Sequence, residues 1–243
     1  MIDAQALYRA IDGTWPAAVK TRVDHWTIRD GQGGGKRVSA ATCDGEQIGD
    51  VEVAEAAMQA IGQTPLFMVR QGEDALDAAL EARGYQIVDP TNGYATPVSM
   101  LTDVPIPPVT AFAIWEPLAI MEDIWAKGGI GPERLAVMAR AEQKTAILAR
   151  WNEKPAGVAF VAIHDGVAMV HAVEVLEHQR RQGVAQWIMR CAAFWAQDNG
   201  AHTLAVLTTA ANGAANALYQ QLGFAALGGY HYRISPTKGT QTK

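Results

Sequence analysis

Apolar and polar positions along this chain alternate between two periods. Residues 167–175, VAMVHAVEV, form an apolar run of strand length, and a polar stretch follows. Val184, Trp187, Ile188, Cys191 and Trp195 then recur at helical spacing. The same reading predicts helices over 3–12, 48–61, 74–83, 118–126, 132–141, from 184 to near Asn199-Gly200, and 212–222. Strands are expected at 23–28, 37–42, 66–69, 85–88, 93–101, 110–115, 144–151, 156–164, 167–175, 203–207, 224–227 and 230–234. The breaks carry their own signals. Trp15-Pro16 stops the first helix, Asp89-Pro90 and Asp165-Gly166 turn the chain, and Pro132 suits a first helical position. The glycine cluster DGQGGGK, Asp30 to Lys36, reads as a hairpin turn between 23–28 and 37–42. It is not a phosphate loop of the GxxxxGK[ST] type, because Asp30 stands at the first glycine and Arg37 at the Ser/Thr.

With 243 residues, the chain suits two domains. DVPIPPV, Asp103 to Val109, cannot sit inside a helix or central strand. The expected division is therefore 1–102, a linker over 103–108, a second domain over 109–235, and a disordered tail over 236–243. The two ends echo each other. Leu76 to Val88, LDAALEARGYQIV, lies over Ala215 to Leu227, ANALYQQLGFAAL, with Gly84 on Gly223 and Leu80 on Tyr219.

Composition narrows the function classes. Net charge is −5 without a long basic run, which argues against nucleic acid or anionic membrane as a partner. No stretch is apolar enough to span a membrane, and no leader is apparent at the N-terminus. Two cysteines, Cys43 and Cys191, suggest no disulfide framework, and a cytoplasmic location is expected. Six scattered histidines, without HxxxH or paired cysteines, predict no metal site.

Two constellations carry chemistry. A strand that feeds a glycine-containing loop at a helix N-terminus presents free N–H groups and a favourable dipole to phosphate. Here the pattern is Val175-x-x-x-x-Arg180-x-x-Gly183-x-Ala185. The second is Asn212-x-x-Ala215-x-x-Leu218-Tyr219-x-x-x-Gly223-Phe224. The pair resembles the pyrophosphate loop and the following helix of the GNAT superfamily of acyl-CoA-dependent N-acyltransferases. The helix motif has no departure; in the loop, Glu177 stands where many members carry proline.

The resemblance implies an α/β GNAT fold, a central mixed, mostly antiparallel sheet flanked by helices. The echo makes it two GNAT-like units, the first truncated. That half has neither the arginine nor the glycine in register within ATCDGE, Ala41 to Glu46, and is not expected to bind acyl-CoA. The implied reaction is transfer of acetyl from acetyl-CoA to a primary amine by direct attack, on a small-molecule or peptide acceptor, in a monomer or homodimer. A non-catalytic acyl-CoA sensor or interaction module is the alternative. Arg180, Arg181, Gln182, Gly183, Val184 and Ala185 would hold the diphosphate. Val173 and Val175 would line the thioester, with a backbone N–H near them meeting the oxyanion. Asn212 would bond the pantetheine arm or phosphates, and Tyr219 would protonate the departing thiolate. The base is open between His171 and Glu174. Strict alternation puts Met169, His171, Val173 and Val175 on one face, and Glu174 on the other unless a bulge turns it. Cys191, inside its helix, is no nucleophile. His178 is expected to face solvent. Tyr230 and Tyr232 share a strand face and either line the acceptor cleft or cover the core. Trp115, Trp125, Trp151, Trp187 and Trp195 read as core.

Overall fold

The computed structural model describes residues 2–45 and 48–235, so Glu46 and the tail expected at 236–243 lie outside the described residues. In chain order the elements are α1 Ala4–Thr14, β1 Val19–Val23, β2 Trp26–Asp30, β3 Thr42–Cys43, α2 Val51–Ala60, β4 Leu66–Arg70, α3 Asp74–Ala82 and β5 Gln86–Pro97. There follow β6 Ala111–Ile114, α4 Ala119–Lys127, α5 Pro132–Arg140, β7 Gln143–Trp151, β8 Lys154–His164, β9 Val167–Val175, α6 Val184–Asp198, β10 Thr203–Thr209, α7 Gly213–Gln221 and β11 Ala225–Ile234. The chain forms two compact units. The first runs from the N-terminus to Pro16 and then over Asn92–Gly228; the second holds Ala17–Thr91 and the chain from Gly229 onward.

The first unit carries one sheet in the order β5-β10-β9-β8-β7-β6. β9, β8, β7 and β6 are antiparallel neighbours, whereas β10 runs parallel to β9. On one face Ala159, Val161 and Val170 pack with Ile188, Met189 and Ala192 of α6 in a continuous apolar core. Phe160 and His171 belong to the other face by alternation, and α1 and α4 lie against β8 and β9 there. α1 is started by Asp3, whose carboxylate accepts from Ala6 N at 2.7 Å. Gly13 lets it come close, because a Cβ there would collide with the His164 ring.

In the second unit β1, β2 and β3 form a small antiparallel sheet. Ala41, just before β3, bridges in parallel to Phe67 of β4. Tyr230–Ile234 of β11 pair antiparallel with Leu66–Arg70. Trp26, Phe67, Met58 and Leu80 form the centre of its core.

The predicted elements form, with four differences. The hairpin is β1–β2, turning at Asp24, and not the expected pair around the glycines: residues 36–38 make a 3-10 turn and β3 is two residues long. β5 runs straight through Asp89-Pro90 but stops at Pro97, so that 98–100 of the strand expected at 93–101 make a 3-10 turn, and β11 joins the two strands expected at 224–227 and 230–234. Trp115 is 39% exposed rather than core. Lastly, the chain does not divide at 103–108. That segment lies within the first unit, where Arg190 of α6 donates to Leu101 O at 3.1 Å and pairs with Asp103. The prolines mark an extended segment; the chain passes between units at 16/17, within β5 and within β11.

Candidate active site

β9 is the element that sets the site's geometry. Its register against β8 slips by one residue: Phe160 faces His171, but Val158 faces Glu174. Ala172, in the left-handed region at φ 51°, is the extra residue of this bulge. Because strand side chains alternate, the insertion reverses the parity expected from sequence. Val173 and Val175 pack against the α6-side core, while His171 and Glu174 share the opposite face. The bulge also coincides with the end of pairing to β10. Those strands pair from Val167–Thr203 to Val170–Val206, then part, although they run on to Val175 and Thr209. Beyond that point the inner edge of β9 has no neighbouring strand among the described residues. Leu176 N bonds Ala156 O on the β8 side at 2.9 Å, so by alternation the N–H groups of Val175 and Val173 point to the parted side.

At the end of β9 the chain makes a short 3-10 turn over Glu177–Gln179 and enters the loop before α6. Arg181 (φ 60°) and Gly183 (φ 77°) are both left-handed and wind the backbone into a concave turn. The first bond of α6 is donated by Trp187 to Gly183 O at 3.2 Å, so the N–H groups before it have no helical acceptor. No side chain caps this helix and no acid stands in its first turn. A Cβ at Gly183 would meet nothing within 4 Å, so the space before the turn is open. Arg181 and Gln182 are exposed, Val184 is buried, and Ala185 is half-buried. Arg180 braces the loop, its Nε donating to Val175 O at 3.2 Å. His178 is exposed as expected. A diphosphate fits such a turn: unshared N–H donors, a positive helix end and room.

The second motif forms the β10–α7 corner. Asn212 caps α7, its Oδ1 accepting from Ala215 N at 3.1 Å, which leaves the Nδ2 end of the amide for other use. Tyr219 is 5% exposed, its ring packed on Phe224 and Tyr94 at centroid distances of 5.7 and 6.1 Å. Burial pushes its phenol up to about 12, so it keeps its proton at neutral pH. No hydrogen bond engages its hydroxyl among the described residues. Cys191 is buried and its thiol is pushed up to about 12, which leaves no thiolate for attack.

The two candidate bases sit in different surroundings. His171 is buried; its Nε2 lies 2.9 Å from Thr14 Oγ1, and Trp15 and Phe160 pack on its ring at 5.0 and 6.2 Å. Glu174 is half-buried, and burial lifts its carboxyl above the usual carboxylate range against the pull of Arg180 and Arg134. Gly128, at the end of α4, makes room for it, because a Cβ there would collide with Glu174 Cδ. Sequence reading missed Gly128, Arg134 and Asn216. Only GG at 128–129 between two helical patterns hinted at the first. Tyr230 and Tyr232 belong to the second unit, buried beside Arg37, whose Nε lies 3.4 Å from Tyr230 Oη. They cover that unit's interior.

Four resemblances bear on this geometry. The family described as "Acetyltransferase (GNAT) family" matches residues 113–224. An uncharacterized N-acetyltransferase of Bacillus subtilis, YobR, is 25% identical over 96% of this chain and 99% of its own. A GCN5-related N-acetyltransferase from Kribbella flavida shares the fold with a TM-score of 0.73 at 20% identity, over 97% of this chain and 96% of that one. A tandem GNAT protein from the clavulanic acid biosynthesis pathway matches at a TM-score of 0.56 and 12% identity, over 82% and 76%. The parted strands and the uncapped helix start fall inside the matched segment: residues 113–224 match the acetyltransferase (GNAT) family, and the protein is an acyltransferase.

Proposed function

We propose that the protein transfers acetyl from acetyl-CoA to a primary amine, a small molecule or peptide, by direct attack. Amide hydrogens of residues 181–185 grip the diphosphate, and Asn212 meets the pantetheine arm. The thioester then lies along the free edge of β9, between the parted strands. The acceptor reaches it as an ammonium with a pKa of about 8 to 10 and must lose a proton before it can attack. Glu174 takes that proton. A carboxyl lifted by burial is a stronger base than an exposed one. Nitrogen then bonds to the acetyl carbon, and the oxyanion is met by a backbone N–H of Val173 or Val175. The C–S bond breaks; Tyr219 passes its proton to the departing sulfur, whose conjugate thiol ordinarily titrates at about 8.5, and is reprotonated by the one the acylated nitrogen must still lose, so that amide and free thiol leave. His171, held by Thr14 and Trp15, supports the bulge rather than acting as the base.

We also propose that residues 17–91 are a degenerate second GNAT-like segment that binds no acyl-CoA. Cys43 and Cys191, both buried and neither in a disulfide among the described residues, suit a reducing compartment, and the reaction belongs in the cytoplasm. No helix among the described residues is long and apolar enough to cross a membrane.

The observation that carries this reading is the end of β9–β10 pairing at Val170, beside a helix start with neither cap nor acid. The test is release of free thiol from acetyl-CoA with a panel of amines, across pH, for the natural protein, Glu174→Gln and His171→Gln. Turnover should fall about 100-fold in Glu174→Gln, with loss of the acid limb. An intact acid limb there, and its loss in His171→Gln, would reverse the assignment. Acetyl-CoA binding with no thiol release for any amine would favour a sensor.

A further inference from the structure

Asn216, which belongs to neither sequence motif, uses both ends of its amide. Its Oδ1 accepts from Tyr94 Oη at 2.8 Å and from Asn92 Nδ2 at 3.0 Å. Its Nδ2 donates to Asn212 O at 2.7 Å and Thr209 O at 3.0 Å, with Ala210 O more distant at 3.5 Å. All these residues lie in the first unit. Thr209 to Asn212 is the turn from β10 into α7, closed by Asn212 N to Thr209 O at 3.0 Å. One side chain therefore fixes both ends of the turn that presents Asn212. Tyr94 is 5% exposed, and its ring also lies on that of Tyr219, one helical turn after Asn216.

We propose that Asn216 and Tyr94 are positioning residues for the acyl donor: Asn216 fixes the turn that meets the coenzyme, and Tyr94 couples that turn to Tyr219. This rests on the reading of Asn212 as a coenzyme contact. The physical basis is that a turn's carbonyls can rotate toward or away from a ligand. Asn216 draws two of them inward by hydrogen bonds, which leaves the turn one conformation before the ligand arrives. Preorganisation of this kind acts on affinity for the donor and not on the amine. Tyr94 has two separable contacts: its hydroxyl reaches the turn and its ring reaches Tyr219.

Four variants separate these contacts. Asn216→Asp keeps an acceptor for Tyr94 and Asn92 but turns a carboxylate oxygen on the turn's carbonyls. Asn216→Ala removes both functions without adding charge. Tyr94→Phe loses the hydroxyl alone, and Tyr94→Leu also loses the ring. Initial rates should show KM for acetyl-CoA raised about tenfold in both Asn216 variants and about threefold in Tyr94→Phe. KM for the amine and kcat should change less than about twofold in those three. Tyr94→Leu should in addition lower kcat and shift the alkaline limb of its pH profile, because Tyr219 loses a packing neighbour. Thermal melts report whether each variant is folded, and the Ala variant replaces the Asp variant should the latter fail. Parallel titration calorimetry with coenzyme A separates two kinds of failure. No heat in the natural protein removes the coenzyme reading itself. Binding in the natural protein that is equally tight in folded Asn216→Ala removes only this inference. An equal rise in both KM values, or a fall of kcat alone, also overturns it.

Discussion

β3-α2-β4-α3-β5 and β9-α6-β10-α7-β11 follow the same order of elements, one in each half of the chain. Their corners match in detail. Gly84 and Gly223 are left-handed at φ 83° and 80°, and the next residue's N–H returns to the helix, Tyr85 to Leu80 O at 3.1 Å and Phe224 to Tyr219 O at 3.0 Å. Yet the polar groups are used oppositely. In the first segment they close on the protein itself. Asp50 caps α2 by accepting from Glu52 N, Glu52 adds an acid to its first turn, and Glu73 accepts from Arg70 N ahead of α3. Asp77 of α3 is gripped by Arg233 through two hydrogen bonds at 2.7 and 3.0 Å and by His231 at 2.7 Å. In the second segment α6 starts with no cap and no acid, and Tyr219 stands where Leu80 is fully buried. A helix start already satisfied by its own carboxylates has nothing to offer a phosphate. Under the proposed function, the same scaffold gives a structural segment or a binding one, according to whether its end groups are spent.

The largest expected effect is on the closed segment. Arg233→Met, which leaves Asp77 with His231 alone, should cost about 3 kcal/mol of stability, read by denaturant unfolding. It should leave coenzyme A binding intact if the two segments are functionally separate. The pH dependence follows. Hydrogen bonding by Arg233, chiefly, holds the Asp77 carboxyl below its ordinary range. Its contribution is full above the unfolded carboxylate pKa of about 3.9 and is lost as pH falls through the lower folded value. Acid unfolding should therefore lose part of its steepness below about pH 4 in the variant.

Gly183→Asp would give α6 the kind of acid that α2 carries, in a left-handed position that only glycine adopts freely. Affinity for coenzyme A should fall at least about 100-fold, by calorimetry, with repulsion of the diphosphate as the cause. Retained affinity would break the contrast between the two helix starts. Gly128→Ala forces Glu174 out of its place. Turnover should fall about tenfold, and the acid limb should move to lower pH, because a more exposed carboxyl returns toward its ordinary value. The smallest effect is expected for Asp50→Ala. It removes the α2 cap at a cost of about 1 kcal/mol, read by thermal melts, and should create no second coenzyme site.

The sequence disclosed what is local and withheld what depends on strand partners. Both motifs are contiguous, and the loop, the α7 cap and buried Tyr219 follow from them. The bulge does not: Ala172 carries no mark of a left-handed residue, and one inserted position moved Glu174 to the face of His171 and Val173 away from it. The strand beside β10 is β5 and the strand beside β4 is β11, so each segment's last strand pairs elsewhere. The apolar pattern of such a strand suits either neighbour, and no spacing could choose. The three-glycine cluster outweighed Asp24, the residue that turns the real hairpin. Gly128 and Asn216 matter through contacts far along the chain, to Glu174 and to Tyr94.

Titration calorimetry of the pure protein with coenzyme A tests the central claim most directly. One site per chain is predicted, abolished in Gly183→Asp and unchanged in Asp50→Ala. Two sites per chain, or a single site indifferent to the residue at 183, would contradict it.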